Sequence, residues 1–248
     1  MTRPAGGDLV FVGDVHLDRD DPALGDFVGF LDGLAGTASR IVFAGDLFQL
    51  WLGARELEMP HQHTVLLALR RLRKRGVVIR YLEGNRDFHL GPEYAGDALD
   101  DSSDRGIVEI RGGRSLFAIH GDLANRQDRQ YRAWRKIARS RAAWTIFRAL
   151  PPGRRLKTAT WLEERMRGSN PEFKRAFPEE AVRSYAADFL SRGHDAVVLG
   201  HFHVERDLVA FPPSPAGRIF VLPEWKGSRR HLRVGEDGRM RFVESGSG

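Results

Sequence analysis

Side chains able to hold metal ions stand where five short apolar runs stop. Leu9 to Val12 runs into Gly13-Asp14-Val15-His16, and Ile41 to Ala44 into Gly45-Asp46. Val77 to Leu82 runs into Glu83-Gly84-Asn85, Leu116 to Ile119 into His120-Gly121-Asp122, and Ala196 to Leu199 into Gly200-His201-Phe202-His203. Each run has the length of a buried strand. At the carboxyl ends of strands in an α/β sheet, side chains far apart in sequence meet in one crevice. Singly the endings are weak signals, because an Asp or Asn after a strand is commonly a cap or an Asx turn, and His-x-His can be two ordinary loop histidines. For the ordinary reading to hold, five such endings would have to coincide.

Asp14 and Asp46, His16, His120, His201 and His203, and the amide of Asn85 suit two borderline divalent ions such as Mn²⁺, Fe²⁺ or Zn²⁺ better than Ca²⁺, which prefers an all-oxygen shell. Two ions about 3.5–4 Å apart can share a bridging carboxylate and a bridging hydroxide, and together clamp the attacking and leaving oxygens of an in-line displacement at phosphorus. Asn85 would ligate through its amide oxygen without adding negative charge, which keeps the site electrophilic. Arg86 would meet the non-bridging phosphate oxygens and the charge that grows on them. Asp87 and Asp122 read as groups that orient Arg86 or a histidine. His61, His63, His194 and His231 follow no strand end and are expected at the surface; His89 lies near the motif without a spacing argument.

The elements that must position these groups are legible as patterns. Between the apolar runs lie helical stretches. Pro22 to Leu34 puts Leu24, Phe27, Val28 and Leu31 on one face; His61 to Arg75 does so with Val65, Leu66, Leu69 and Leu72 before a stop at Gly76; Pro178 to Arg192 uses Val182, Tyr185, Ala186 and Phe189 before Gly193. Strands alternating with helices predict an α/β layered fold. After a further run at Ile219 to Leu222 the chain reads as hairpins around Gly235-Glu236-Asp237-Gly238, with Glu244 to Gly248 as a flexible tail. From Asn125 to Asn170 no strand pattern appears. Tyr131 to Phe147 and Arg155 to Arg167 read there as two basic amphipathic helices around Pro151-Pro152-Gly153. The expected organisation is a core of residues 1–124 and 171–248 with an inserted helical cap at 125–170.

The 248 residues are 42% hydrophobic and 29% charged, which fits one globular domain with a substantial core and excludes a disordered tail. With no cysteine, disulfides and thiolate metal sites are excluded. The N-terminus lacks the apolar segment of a signal peptide, and no window offers the roughly 18 apolar residues of a membrane span. A cytoplasmic location is the expectation. The net charge of +6 favours anionic partners. Between Arg126 and Arg175, a stretch dense in arginine and lysine, the only acidic residues are Asp128, Glu163, Glu164 and Glu172.

As an ordered set, Asp14-x-His16, Gly45-Asp46, Gly84-Asn85, His120 and Gly200-His201-x-His203 resemble the calcineurin-like metallophosphoesterases over most of the chain. The resemblance implies an αββα sandwich with an inserted helical cap. It implies Asp14, His16, Asp46 and His203 on one metal and Asp46, Asn85, His120 and His201 on the other, with Asp46 bridging. Many members carry a histidine after the Asn, often assigned as a general acid; that place is Arg86 here. Gly84-Asn85-Arg86-Asp87-Phe88 with Leu90-Gly91, Gly45-Asp46-Leu47-Phe48 before Trp51, and the cap after His120-Gly121-Asp122 look most like the bacterial UDP-2,3-diacylglucosamine pyrophosphohydrolases of lipid A synthesis. That family implies water attack on the uridylyl phosphate, giving UMP and 2,3-diacylglucosamine 1-phosphate, with two divalent ions, usually Mn²⁺. By position it implies substrate contacts from Asp128 and Tyr131, and from Asn170 and Lys174 by a looser match, beside Asn85, Arg86 and His201.

The chain departs from the family at Phe202, where Thr is common, at Val204-Glu205, where Arg-Pro is common, and at Leu123 to Arg126. None of these is a metal ligand, so they bear on substrate rather than on chemistry. Trp134, Ile137, Trp144, Phe147, Leu150, Trp161 and Met166 could line an acyl chamber while the arginines face a diphosphate or an anionic inner-membrane surface. They could equally pack two helices together beneath a solvated basic face. No obligate protein partner is implied. The alternative function is the same chemistry on another phosphodiester, a nucleotide or nucleic acid gripped by the cap; a non-catalytic scaffold is the reading from a different class.

Overall fold

The computed structural model describes residues 6–167, 177–210 and 216–246. In chain order the first elements are β1 (Asp8–Val12), α1 (Leu24–Gly33), β2 (Ala38–Phe43), β3 (Trp51–Leu52), α2 (Pro60–Lys74), β4 (Val78–Leu82), β5 (Asp87–Phe88), α3 (Gly91–Tyr94), β6 (Asp101–Ser103), β7 (Ile107–Arg111) and β8 (Arg114–Ile119). They are followed by α4 (Arg129–Ala138), α5 (Arg141–Ala149), α6 (Pro152–Arg167), α7 (Glu179–Leu190), β9 (Ala196–Leu199), β10 (Arg206–Val209), β11 (Arg218–Val221), α8 (Trp225–Ser228), β12 (Arg230–Val234) and β13 (Met240–Glu244).

Two sheets stack face to face. One has six strands in the order β13-β12-β1-β2-β4-β6, the other five in the order β10-β11-β9-β8-β7. Alternation along each strand explains the layering, because successive side chains point to opposite faces. In β1, Leu9 and Phe11 enter the space between the sheets, where they meet Leu116, Ala118, Val198 and Phe220. Val10 and Val12 face the other way, onto Phe27 and Leu31 of α1 and Leu66 and Leu69 of α2. On the far side of the second sheet Val197 and Leu199 pack on Val182, Tyr185 and Phe189 of α7. The result is four layers, α-β-β-α. Among the described residues no helix is long and apolar enough to cross a membrane.

The parallel pairings place the site. β1, β2 and β4 run parallel in one sheet, and β8 and β9 run parallel in the other, so all five predicted ligand-bearing ends emerge where the two sheets meet. A short parallel pair, β3 with β5, ties the loop after Asp46 to the loop after Asn85, with Trp51 aligned on Asp87.

Several expectations need correction. Residues 129–149 form two helices rather than one. Arg139 leaves the helical register at φ −92°, ψ 3°, and the Ser140 hydroxyl then caps α5 by accepting the Ala143 amide. With α6 the segment therefore holds three helices. His61 and His231 are buried rather than on the surface: each stacks in an aromatic cluster, His61 edge-on to Phe48 and His231 against Phe30. His194 is half-buried and hydrogen-bonded to the Ser115 hydroxyl at 2.8 Å, whereas His63 is exposed as expected. The end of the chain is tied down further than expected. Glu244 pairs with Arg230 in the β12–β13 hairpin, and the Trp225 indole donates to the Ser245 hydroxyl at 3.1 Å. Asn170 and Lys174 lie outside the described residues.

Phe11 is wholly buried between the sheets. Phe11→Ala is expected to lower unfolding stability by about 3–5 kcal/mol, read as a shift of the urea midpoint at unchanged slope. A midpoint within error of wild type would mean that the inter-sheet core is not packed as described.

Candidate metal centre

At three of the five strand ends the local backbone is strained where it delivers donors. Of the eight described non-glycine residues with positive φ, five belong to the predicted set: Asp14 (51°), His16 (50°), Asp46 (54°), His201 (73°) and His203 (57°). Non-glycine residues seldom adopt this conformation, and such strain persists only where the surroundings impose it. Two glycines make room for the donors. A Cβ on Gly45, itself at φ 94°, would lie 2.6 Å from His120 Nδ1, and one on Gly84 would collide with the Asp46 carboxylate.

The donors converge in a buried cluster. Asp14, His16 and His203 offer ligand atoms within 4.8 Å of one another, and so do Asp14, Asp46 and His120. Each carboxylate has one oxygen held by a backbone amide. His201 N donates to Asp14 Oδ2 at 2.8 Å, and Arg86 N donates to Asp46 Oδ1 at 2.9 Å. The other oxygens are turned to the cluster: Asp14 Oδ1 is buried without a hydrogen-bond partner, and Asp46 Oδ2 lies 3.8 Å from His16 Nε2 and 3.7 Å from His120 Nε2. His120 Nδ1 donates to the Ala44 carbonyl at 2.7 Å, which in the neutral ring leaves the Nε2 lone pair facing Asn85 Oδ1, 3.0 Å away. His201 Nδ1 is also 3.0 Å from Asn85 Oδ1, and His16 Nε2 is 3.1 Å from His203 Nε2.

Electrostatics favour a positive charge among these donors. Burial, and then Asp46, push the Asp14 carboxyl well above the ordinary range; burial raises Asp46 to about 7. Burial, reinforced by neighbouring imidazoles, lowers His16 well below its ordinary value and His201 to about 3. Two disfavoured carboxylates among imidazoles held neutral form a donor set that a cation would satisfy at once, and oxygen with nitrogen and no sulfur fits borderline divalent ions. The residues present therefore fit a pair of divalent cations, with Asp46 between the His16 and His120 sides.

Asp87 and Asp122 do not orient Arg86 or a histidine by hydrogen bonds, contrary to the sequence reading. Asp87 Oδ2 accepts the backbone amides of Asp46 (2.8 Å) and Gly84 (2.9 Å) and the Tyr81 hydroxyl (3.0 Å), so it staples two ligand-bearing loops together. Asp122 accepts from the Tyr131 hydroxyl at 2.5 Å and from Arg135 Nε at 2.6 Å. Burial would raise Asp122, but His120, Arg135 and His201 outweigh it and hold the carboxyl at about 2. Asp122 thus acts on the histidines through space. Asp128 caps α4, its Oδ1 accepting the Tyr131 amide at 2.8 Å. The Arg86 guanidinium is buried beside the cluster, its Nε and Nη1 without hydrogen-bond partners.

Some supporting residues carried no sequence signal. Lys226 Nζ and Gln49 Nε2 both donate to the His16 carbonyl, at 2.8 and 3.2 Å. Such contacts go to backbone atoms and need no special residue spacing.

The family model described as calcineurin-like phosphoesterase matches residues 8–205, from the start of β1 to just beyond His203. The chain belongs to the calcineurin-like phosphoesterases. It is similar to the UDP-2,3-diacylglucosamine hydrolase of Pseudomonas putida, 31% identical over 240 residues that cover 93% of this chain and 96% of the relative. It is likewise similar to the Aeromonas salmonicida protein of the same name, 32% identical over 221 residues that cover 87% of this chain and 85% of that one. In fold it is similar to a hypothetical protein of Pyrococcus horikoshii, with a TM-score of 0.51 at 11% identity over 96% of this chain and 87% of that one. This calcineurin-like phosphoesterase is thus a hydrolase by family, with a candidate site of two metals at the sheet ends.

If the phosphoesterase holds cations here, stripping it with a chelator lowers its melting temperature, and Mn²⁺ at about 100 times its Kd restores about 2.7 kcal/mol. Differential scanning across a Mn²⁺ series measures this. A melting temperature indifferent to Mn²⁺, Fe²⁺ and Zn²⁺ alike would remove the cation site.

Proposed function

We propose that this phosphoesterase hydrolyses the diphosphate of UDP-2,3-diacylglucosamine, releasing UMP and 2,3-diacylglucosamine 1-phosphate in the synthesis of lipid A. The observation that carries the reading is a cavity of about 780 Å³ opening from the metal cluster to the helices of residues 129–167. Asn85, Asp122 and His201 line it together with Trp134, Trp161, Leu162, Phe202 and Arg165, so polar and apolar groups share its wall. Its volume is that of a site for a sizeable small molecule. A substrate that carries both a diphosphate and acyl chains matches that mixed wall, and the names of the similar proteins support the choice.

When bound, a pair of divalent cations would supply the Lewis acidity that makes water nucleophilic at neutral pH and neutralises the phosphate oxygens. Mn²⁺ is the ion proposed, held by Asp14, His16, Asp46 and His203 on one side and by Asp46, Asn85, His120 and His201 on the other. The protein's own residues do the rest. Arg86, a buried cation without an ion-pair partner among the described residues, meets the non-bridging oxygens of the uridylyl phosphate, where negative charge grows during displacement. Asp128 and Tyr131 line the cavity, Asp128 with one oxygen outside its capping bond, which supports contacts from both to the sugar. Residues 125–170 act as the cap over this cavity, Asn170 and Lys174 adding headgroup contacts. Exposed Ile137, Ile146, Leu156 and Trp161 lie on the arginine-rich helices, which supports docking of the cap on an anionic inner-membrane surface from the cytoplasmic side.

Hydrolysing UDP-2,3-diacylglucosamine and a single-stranded oligonucleotide side by side tests the substrate. Cleavage of the oligonucleotide alone would refute the lipid assignment in favour of a nuclease. Asp46→Ala is expected to abolish turnover. Arg86→Ala is expected to keep the metal content and lose roughly two orders of magnitude in kcat, the scale of one transition-state charge stabiliser; an unchanged kcat removes Arg86 from the mechanism. Trp161→Ala is expected to raise KM for the diacylated substrate several-fold, with no change for UDP-glucosamine. Equal effects on both would take Trp161 out of an acyl-binding role.

A further inference from the structure

Asn85 and Arg86 stand on a loop, residues 83–90, that crosses from β4 to α3 with only the two-residue strand β5 inside it. On the core side its own Asp87 ties it down, accepting the Asp46 amide and the Tyr81 hydroxyl. From the other side it is held by Arg139, where α4 gives way to α5. Arg139 Nη1 donates to Glu83 Oε2 at 2.7 Å, and Nη2 donates to the Asp87 carbonyl at 3.0 Å and to the Gly84 carbonyl. Glu83 in turn accepts the amide of Leu90 at 2.7 Å and that of His89 at 3.1 Å. Carboxylate and guanidinium thus clasp the loop from both ends, one by its N–H groups and the other by its carbonyls. Both side chains are below a tenth exposed, 7% for Arg139 and 8% for Glu83. The same helices add ring contacts: Trp134 stands edge-on to Phe88 at 5.8 Å, and Trp144 stacks on His89 at 4.6 Å.

We propose that Arg139 is a positioning residue of the metal centre, holding the 83–90 loop so that the Asn85 amide oxygen faces His120 and His201. This rests on the reading of Asn85 as a ligand of the second cation, but not on the identity of the substrate. The demand is geometric. A planar guanidinium presents donors in divergent directions and serves a carboxylate and two carbonyls together, whereas a lysine ammonium on a flexible stem keeps the charge without that fork. Arg139 hydrogen-bonds none of the donor atoms itself; its charge reaches Asp46 and His120 through space, while its hold on Asn85 passes through the loop backbone. The cap is then part of the metal site's framework.

The test uses the full-length chain, stripped of metal and titrated with Mn²⁺ by calorimetry, with bis(p-nitrophenyl) phosphate as a substrate that carries neither uridine nor lipid. Arg139→Lys is the decisive variant, because it leaves Glu83 a buried counter-charge and so preserves folding. It is expected to melt near wild type, to keep one Mn²⁺ at wild-type affinity, and to bind the other roughly 10–100-fold more weakly, with kcat lowered and KM little changed. Arg139→Met is expected to show the same pattern at least as strongly. Asn85→Ala is run alongside and is expected to weaken the same single equivalent. Two Mn²⁺ bound at wild-type affinity by Arg139→Lys, with Asn85→Ala weakened, overturns the role of Arg139 while the ligand reading survives. Two Mn²⁺ bound at wild-type affinity by Asn85→Ala overturns the ligand reading, and the inference with it.

Discussion

Two carboxylates, Asp14 and Asp46, are buried in one cluster, and among the described residues no lysine or arginine forms an ion pair with either. Removing an anion from water costs several kcal/mol even after relaxation, so such groups must be hydrogen-bonded, paired or protonated. Much of the surrounding structure answers that constraint. Each carboxylate takes one backbone amide, from His201 and Arg86 respectively. Left-handed backbone at Asp14, His16, Asp46, His201 and His203 shapes three of the strand ends around the cluster. Glycines at 45 and 84 clear the space that a side chain would fill. Asp87 then fixes the two loops that carry Asp46 and Asn85 with a single oxygen. What remains unanswered is one oxygen on each carboxylate, and those two face the imidazoles at 3.5–3.9 Å.

The positive charge of residues 126–175 is disposed differently from what composition alone implies. Arg135 and Arg139, one helical turn apart, do not face a ligand; each is neutralised by an acidic group of the core, Asp122 and Glu83. Arg148 and Arg155 reach Glu56, and Arg148 also reaches Glu93. The core surface under these helices is therefore acidic where they meet it, and the basic excess serves partly as attachment. Buried ion pairs are weak evidence of net stability; here two of them join α4 to the loops that carry the candidate ligands. Arg86 is left as the buried guanidinium next to the cluster with nitrogens unpartnered, which concentrates anion affinity at one point.

The core strands and their donors were legible because two independent signals coincide there: an apolar run of strand length, and a glycine beside an Asp, Asn or His where the run stops. β9 was readable to its ends, and β1 to within a residue. Short strands without apolar runs were not. β6 is Asp-Ser-Ser and β10 begins Arg-Asp, and both lie at sheet edges where burial places little demand on composition. The break between α4 and α5 was missed because the amphipathic pattern continues through Arg139; its local mark is Ser140, whose hydroxyl caps α5, beside the Arg139 side chain that reaches Glu83. The burial of His61 and His231 was missed because an imidazole reads as polar, whereas against Phe48 and Phe30 it packs as a flat ring. The positioning contacts of Asp87, Lys226 and Gln49 end on backbone atoms, which residue types do not encode.

The amide at position 85 gains its sense from this charge balance. Its oxygen stands 3.0 Å from both His120 Nε2 and His201 Nδ1, where an aspartate would complete an equally plausible ligand set. But a third buried carboxylate would face Asp46, whose own carboxyl burial already lifts to about 7. Like charges at that range raise one another further, so the metal-free site would hold its protons more tightly and yield them to a cation less readily. A neutral oxygen avoids that competition. If two divalent ions bind this cluster, it also adds no negative charge beside them, and the Arg86 guanidinium lies on the adjacent residue. The loop that begins at Gly84 thus trades an anion for an amide at the one position where the approaching group is itself anionic.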